Sequence, residues 1–420
     1  MTAYLDHAST TPLRPEAIDA YVAELASVGN PSSLHSSGRR ARAVVEEARE
    51  ALAAAVGARP AEVVWTSGGT EADNLAVKGL FWARRAADPR RRRILVSSIE
   101  HHAVLDCVEW LEQHEDAEVR WLPVDAVGRT DLAVLQAELS AAPDEIALVA
   151  LMWANNEVGT VQPVAAAAEL AHAVGVPLHT DAVQAVGHLP VDFAASGADT
   201  LALSAHKFGG PVGAGALLVR RGTVLVALQH GGGQELGVRS GTLDAPAARA
   251  SAAALTAAVA GMAEESARVA RLRDRLLAGL RDRVPGVELR GDTRLDPGHR
   301  LPGNAHVTIA GCEGDSLLYL LDAAGVECST GSACQAGVPQ PSHVLLATGL
   351  GAEEASGALR FTLGWNSTDA DVDAVLAAVG GAVERARRAQ QSSRAARVRR
   401  RASVPARVTP LGMTPTGVTS

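Results

Sequence analysis

"HTDAVQAVGHLPVDFAASGADTLALSAHKFGGPVGAG", residues 179–215, sets two short apolar strands among polar and glycine-rich turns. One strand ends in Asp181. The next runs into Ser204, His206 and Lys207. In open α/β sheets, ligands bind beyond the carboxyl ends of the strands, so both segments can face one crevice. An acid there can pair with a ring nitrogen, and a lysine beside it can form an imine. That combination is a protein's usual contribution to pyridoxal phosphate chemistry. Taken singly, Asp181 reads as an N-cap and Lys207 as a solvated loop cation; the pair favours the cofactor.

Composition sharpens the reading of Lys207. Lysine and arginine total 39, yet lysine stands only at Lys78 and Lys207, which leaves 37 arginines. Arginine is effectively never deprotonated, so it can neither form an imine nor act as a base. A lysine kept in so arginine-rich a chain is a candidate for chemistry. Lys78 falls about two turns into a helix and is assigned none.

Outward from this stretch, apolar strands alternate with alanine-rich amphipathic helices, which predicts an α/β fold with a mainly parallel seven-stranded sheet. Strands are expected at 62–66, 93–97, 119–123, 146–152, 177–180, 200–203 and 215–219, with helices at 39–56, 70–85, 103–113, 164–173 and 247–284. A smaller α/β region follows, with strands at 304–309 and 357–363 and a closing helix at 370–388. The expected division is a large cofactor-binding domain over 1–255, with residues 1–15 packing on a small C-terminal domain over 256–388. From about Ala389 the chain is rich in Arg, Ser, Thr and Pro and is read as a disordered tail, 389–420. Its arginines suit an acidic partner, RNA or plain solvation.

The formal net charge of −8 gives no global case for nucleic-acid or membrane binding, and no direct nucleic-acid contact is expected. No apolar run approaches the length of a membrane span, and the first residues lack a signal peptide's basic and apolar regions, so a cytoplasmic location is expected. Four cysteines are too few for a disulfide framework.

Other segments supply candidate site residues. "WTSGGTEADN" places small residues through Gly69 and Thr70 between a strand and a helix, where free backbone N–H groups favour a phosphate. His101 and His102 follow another strand, and His101 is suited to stack on a planar ring and exchange protons. Adjacent histidines on a strand point apart, and no ligand spacing supports a metal. Asn155 and Asn156 follow a further strand, "HGGGQELGVRSGT" ends at Thr242, and Arg360 in "LRFTLG" suits bidentate binding of a carboxylate.

Taken in order, "YLDHASTTPLRPE", "TSGGTEADNLAVKG", "EHHAVLD", "NNEVGTVQP", "HTDAVQAVG", "SAHKFGGPVGAGAL", "HGGGQELGVRSGT", "STGSACQAG" and "LRFTLG" resemble the class V aminotransferase family of pyridoxal phosphate enzymes. Within it they are similar to cysteine desulfurases of the nitrogen-fixation and iron–sulfur-cluster type. The resemblance implies a fold-type I homodimer with its active site at the subunit interface. Lys207 would carry the cofactor as an imine, Asp181 would pair with the ring nitrogen, and His101 would stack on the ring. Asn156 and Gln184 would bond the ring hydroxyl side. Gly69, Thr70, Ser204 and His206 would hold the phosphate, joined by Thr242 of the other subunit.

The same resemblance assigns the substrate side. Arg360 with Asn156 would bind the carboxylate of L-cysteine, and Cys334 in "GVECSTGSAC" would take the sulfur as a persulfide, with His101 accepting its proton. Cys328 in that stretch reads as a packed thiol. The sulfur would pass to an acceptor protein, an iron–sulfur scaffold or a tRNA-thiolation enzyme. A selenocysteine lyase or another enzyme of the same fold is the alternative.

Overall fold

The computed structural model describes residues 2–331 and 341–402, the last ten as backbone only. Its strands in chain order are β1 (Ala3–Tyr4), β2 (Val63–Thr66), β3 (Arg93–Ser97), β4 (Glu118–Leu122), β5 (Ile146–Ala150), β6 (Leu178–Asp181), β7 (Thr200–Ser204), β8 (Gly215–Val219), β9 (Val287–Leu289), β10 (Asn304–Ile309), β11 (Val326–Glu327) and β12 (Ala358–Thr362). Seven of them form one sheet in the order β2-β8-β7-β6-β5-β3-β4. All share a direction except β8, which runs antiparallel to β2 and β7. Strands β5, β6 and β7 are buried along their whole length. Helices on both faces of a parallel sheet require such near-continuous apolar runs.

Helices α1 (Pro15–Leu25), α2 (Ser36–Ala55), α3 (Gly69–Ala87) and α4 (His102–His114) interleave with the first strands. The expected strand bounds agree with the observed ones to within two residues, because apolar runs between Gly, Pro and polar turns leave little choice of register. Several helix starts lie earlier than expected: α2 starts at Ser36, with the His35 side chain accepting from Gly38 N–H.

The helix Ala245–Arg283 joins two cores. At 1.5 Å per residue it is about 58 Å long. Its alanine-rich first part packs into the core of the seven-stranded sheet, through Leu255 and Ala258. Its second part, through Leu272, Leu276 and Leu280, packs into a separate core built on β9, β10 and β12. Ala3 and Leu5 belong to that second core, and β1 pairs in parallel with β11. The N-terminal segment then crosses to the first core, where the Thr11 N–H donates to His206 O.

One buried ion pair ties the large sheet to a loop that sequence patterning left unplaced. Glu235 accepts from both terminal nitrogens of Arg49, at 2.7 and 2.8 Å, and from the Trp65 N–H at 2.8 Å. Its side chain is 2% exposed, against 10% for Arg49. Removing one partner leaves the other charge buried and uncompensated, which costs about 3–5 kcal/mol. Glu235→Ala is therefore expected to lower unfolding free energy by about 3 kcal/mol or more in urea titration. Glu235→Gln, which keeps an acceptor, should lose less.

The end of the chain departs from expectation. The C-terminal helix spans Asp369–Ala402, so it continues through residues assigned to a disordered tail from 389. Its packed stripe is Val372, Val375, Val379, Ala382, Val383 and Ala386, at helical spacing. Beyond Ala386 nothing in the sequence stops the helix. Ala, Arg and Gln are strong helix formers, and the first proline is Pro405.

Candidate active site

The carboxyl ends of β2, β3, β5, β6 and β7 open along one edge of the sheet, and the small core covers that edge. Between them lies a cleft of about 230 Å³. The connections after the strands deliver candidate residues to it: Gly69 and Thr70 after β2, His101 after β3, and Asn156 after β5. Asp181 ends β6, and Ser204, His206 and Lys207 follow from β7. Gln184 and, from β12, Arg360 complete the set, and all ten line the cleft. Thr242 does not; it lies in a separate hollow with Thr66, Ser67 and Arg239. Cys334 lies outside the described residues, but Gly331 before it and His343 after it both line the cleft.

Lys207 sits in a short turn, Ala205–Lys207, with its Nζ donating to Ala8 O and Ser9 O, both at 2.8 Å. Burial lowers its ammonium to about 8, and Arg360 adds to the effect. The amine is thus far closer to its neutral, nucleophilic form than a solvated lysine. Burial raises Asp181 to about 6, against the Val183 N–H bonded to it at 2.8 Å and the nearby Lys207 charge. Two further buried carboxyls stand behind it. Burial, then Asp181, pushes both Asp73 and Glu100 well above the carboxylate range. Asp73 meets His179 Nε2 at 3.1 Å, and burial lowers that ring to about 3. Glu100 accepts from Met152 N–H at 2.6 Å, while its second oxygen is buried and unpartnered.

Among the described residues that acid cluster has no arginine ion pair, and the Lys207 charge acts on Asp181 from the cleft. Such a wall fits a ligand that brings a cationic ring nitrogen to Asp181. A phosphate fits next to it. Helix α3 starts at Gly69 with no side-chain cap, leaving first-turn N–H groups free beside the buried Ser204. A Cβ at Gly69 would stand 2.6 Å from Val183 Cγ2, so the close approach there needs glycine.

His101 is neither on a strand nor paired with His102 as a metal site; it is the N-cap of α4. Its Nδ1 accepts from Ala103 N–H at 3.1 Å, which assigns the ring proton to Nε2. Loss of solvation, then the Lys207 charge, lowers the ring to about 4. A ring held that low is a weak base, which favours stacking over proton acceptance. No group of three or more potential metal ligands occurs among the described residues.

Arg360 is less free than its sequence context suggests. Its guanidinium donates to Asn156 O at 3.0 Å, Asp6 Oδ1 at 2.8 Å and Ser9 Oγ at 2.9 Å. Its Nε is buried without a partner. A carboxylate ligand would use that free N–H and compete with Asp6 for the rest. Asn155, by contrast, is fully buried and structural: it donates to Ile99 O and accepts from Glu157 and Val158 N–H.

Comparison with known proteins identifies the family. The model of the class-V aminotransferase family matches residues 3–375. An IscS-like cysteine desulfurase of Mycobacterium tuberculosis is 57% identical over 387 residues, covering 92% of this chain and 98% of the relative. The cysteine desulfurase IscS of Methanosarcina thermophila is 42% identical, covering 91% and 92%. Among solved structures, a NifS-like protein superposes with a TM-score of 0.83 at 32% identity, covering 91% of this chain and all of its own. A structure described as SspA in complex with cysteine gives 0.74 at 32% identity, covering 87% of this chain and all of its own. The chain therefore belongs to the class V aminotransferase family, and within it to the cysteine desulfurases of the IscS and NifS type.

Proposed function

We propose that the cleft binds pyridoxal 5'-phosphate and L-cysteine, and that the sulfur leaves as a persulfide on Cys334. The observation that carries this reading is the pairing of Lys207 and Asp181 at neighbouring strand ends, with Arg360 across the cleft. When bound, the cofactor would supply an electron sink for the Cα–H bond of cysteine. Asp181 would hold the proton on its ring nitrogen, His101 would cover its face, and Gln184 and Asn156 would contact its hydroxyl side. Gly69, Thr70, Ser204 and His206 would hold its phosphate. Arg360, with Asn156, orients the substrate carboxylate. The Lys207 amine takes the Cα proton and returns it. The Cys334 thiolate attacks the substrate sulfur, the C–S bond breaks, and the three-carbon remainder takes up protons to leave as alanine.

A homodimer is supported by exposed apolar side chains on α1 and the loop that follows it. Ile18, Val22 and Leu25 of α1 are 46%, 60% and 58% exposed, and Leu34 is 87% exposed. Exposed apolar residues gathered this way mark an interface. Thr242, away from its own cleft, would then serve the partner's phosphate. No helix among the described residues is long and apolar enough to cross a membrane, in keeping with a cytoplasmic enzyme. The persulfide would be taken up by an acceptor protein such as an iron–sulfur scaffold or a tRNA-thiolation enzyme.

The test is a single-turnover incubation of the cofactor-loaded protein with L-cysteine and no added thiol. One alanine per protein-bound persulfide is expected. Alanine without persulfide would overturn the sulfur-transfer step.

A further inference from the structure

We infer that the arginine-rich end of the C-terminal helix, residues 385–401, binds the phosphate backbone of nucleic acid. This stretch carries eight arginines and no acidic residue. Removing them from the 39 basic residues leaves 31 against 47 acidic ones, a net of −16 over the rest of the chain. The overall charge of −8 thus averages an acidic body and a basic helix, and global charge is no guide to what the helix contacts. The segment also lies beyond the residues that the family model matches, 3–375.

The buried stripe of the helix ends at this point. Ala386 is the last buried residue of its packed stripe. Arg387 anchors it by donating to Ala310 O and Pro285 O, and Arg388 meets Glu384 at 3.9 Å. Past Glu384 the sequence offers no acid of its own. The pairs 394/397, 397/400 and 397/401 put like charges three or four positions apart, each costing about 0.2–0.5 kcal/mol in a helix. A polyanion converts that cost into attraction.

The angular distribution narrows the occupant. At about 100° per residue, arginines 388, 394, 397, 399, 400 and 401 fall around the circumference, with Val398 the only large apolar residue among 389–402. No apolar face exists to lie on a membrane. An acidic patch on a protein meets one face of a helix, whereas phosphates on two sides of a groove meet several at once. The shared chemistry is a phosphate backbone, and an RNA hairpin and a DNA duplex of equal length separate its two sources.

The experiment is fluorescence anisotropy of labelled RNA hairpin and DNA duplex with the full-length, cofactor-loaded protein. Binding of either is expected, losing about a hundredfold or more in affinity between 50 and 200 mM salt. Arg394→Gln, Arg397→Gln, Arg399→Gln, Arg400→Gln and Arg401→Gln together keep helix propensity and should weaken binding at least about tenfold, with alanine formation unchanged. Failure to bind either nucleic acid at 50 mM salt overturns the proposal. So does equal binding by the glutamine variant, or competition by polyglutamate at the same charge concentration, which would assign the helix to an acidic protein.

Discussion

Lys207→Arg is expected to reduce alanine formation from cysteine by about ten-thousandfold, the upper end of what one positioned proton-transfer group contributes. The substitution keeps a cation of similar reach, and the carbonyls of Ala8 and Ser9, which now accept from Nζ, can accept from a guanidinium. What disappears is the neutral amine. Burial brings the Lys207 ammonium down to about 8, so a useful fraction is unprotonated at physiological pH. A guanidinium stays charged throughout that range. Borohydride reduction followed by denaturation supplies a readout separate from turnover: wild-type protein should retain pyridoxyl label and the variant should not. Retention of more than about a hundredth of wild-type activity would remove Lys207 from the proton-transfer role.

The parts of this site that the sequence disclosed are those carried by local pattern. Asp181 and Lys207 each follow an apolar run, and a run that ends at a strand's carboxyl edge must open on the crevice. The parts it did not disclose are carried by long-range or backbone groups. Asp6 bonds Arg360 across 354 positions, and no period in either segment signals it. Ala8 and Ser9 act through carbonyl oxygens, for which side-chain identity is silent. Asp73 had a readable signal: it falls among Ala72, Leu75 and Ala76 on the buried side of α3, an acid where an apolar residue belongs. His179 on β6 was the partner to look for. The C-terminal helix runs on where polarity alone predicts disorder, because alanine, arginine and glutamine hold a helix without a core.

The second large effect is expected at Cys334, and the three other cysteines show why. A persulfide-forming thiol must reach the thiolate. Burial pushes Cys107 and Cys328 up to about 12, and Cys312 is also raised by burial. At pH 8 a thiol at about 12 is ionised roughly once in ten thousand molecules. All three are buried, Cys328 being 8% exposed, so cysteine bound in the cleft cannot be attacked from them. Cys334→Ala should therefore cut protein-bound persulfide to background and slow alanine release about a thousandfold. The spectral change of the cofactor on adding cysteine should persist, because Arg360 and Lys207 remain. Cys328→Ala is the decisive partner experiment: it should stay within about twofold of wild type in persulfide yield, since it deletes a packed thiol and no reacting group. Mass spectrometry of trapped persulfide distinguishes them. Persulfide surviving in Cys334→Ala, or vanishing in a folded Cys328→Ala, would move the sulfur carrier to the buried thiol.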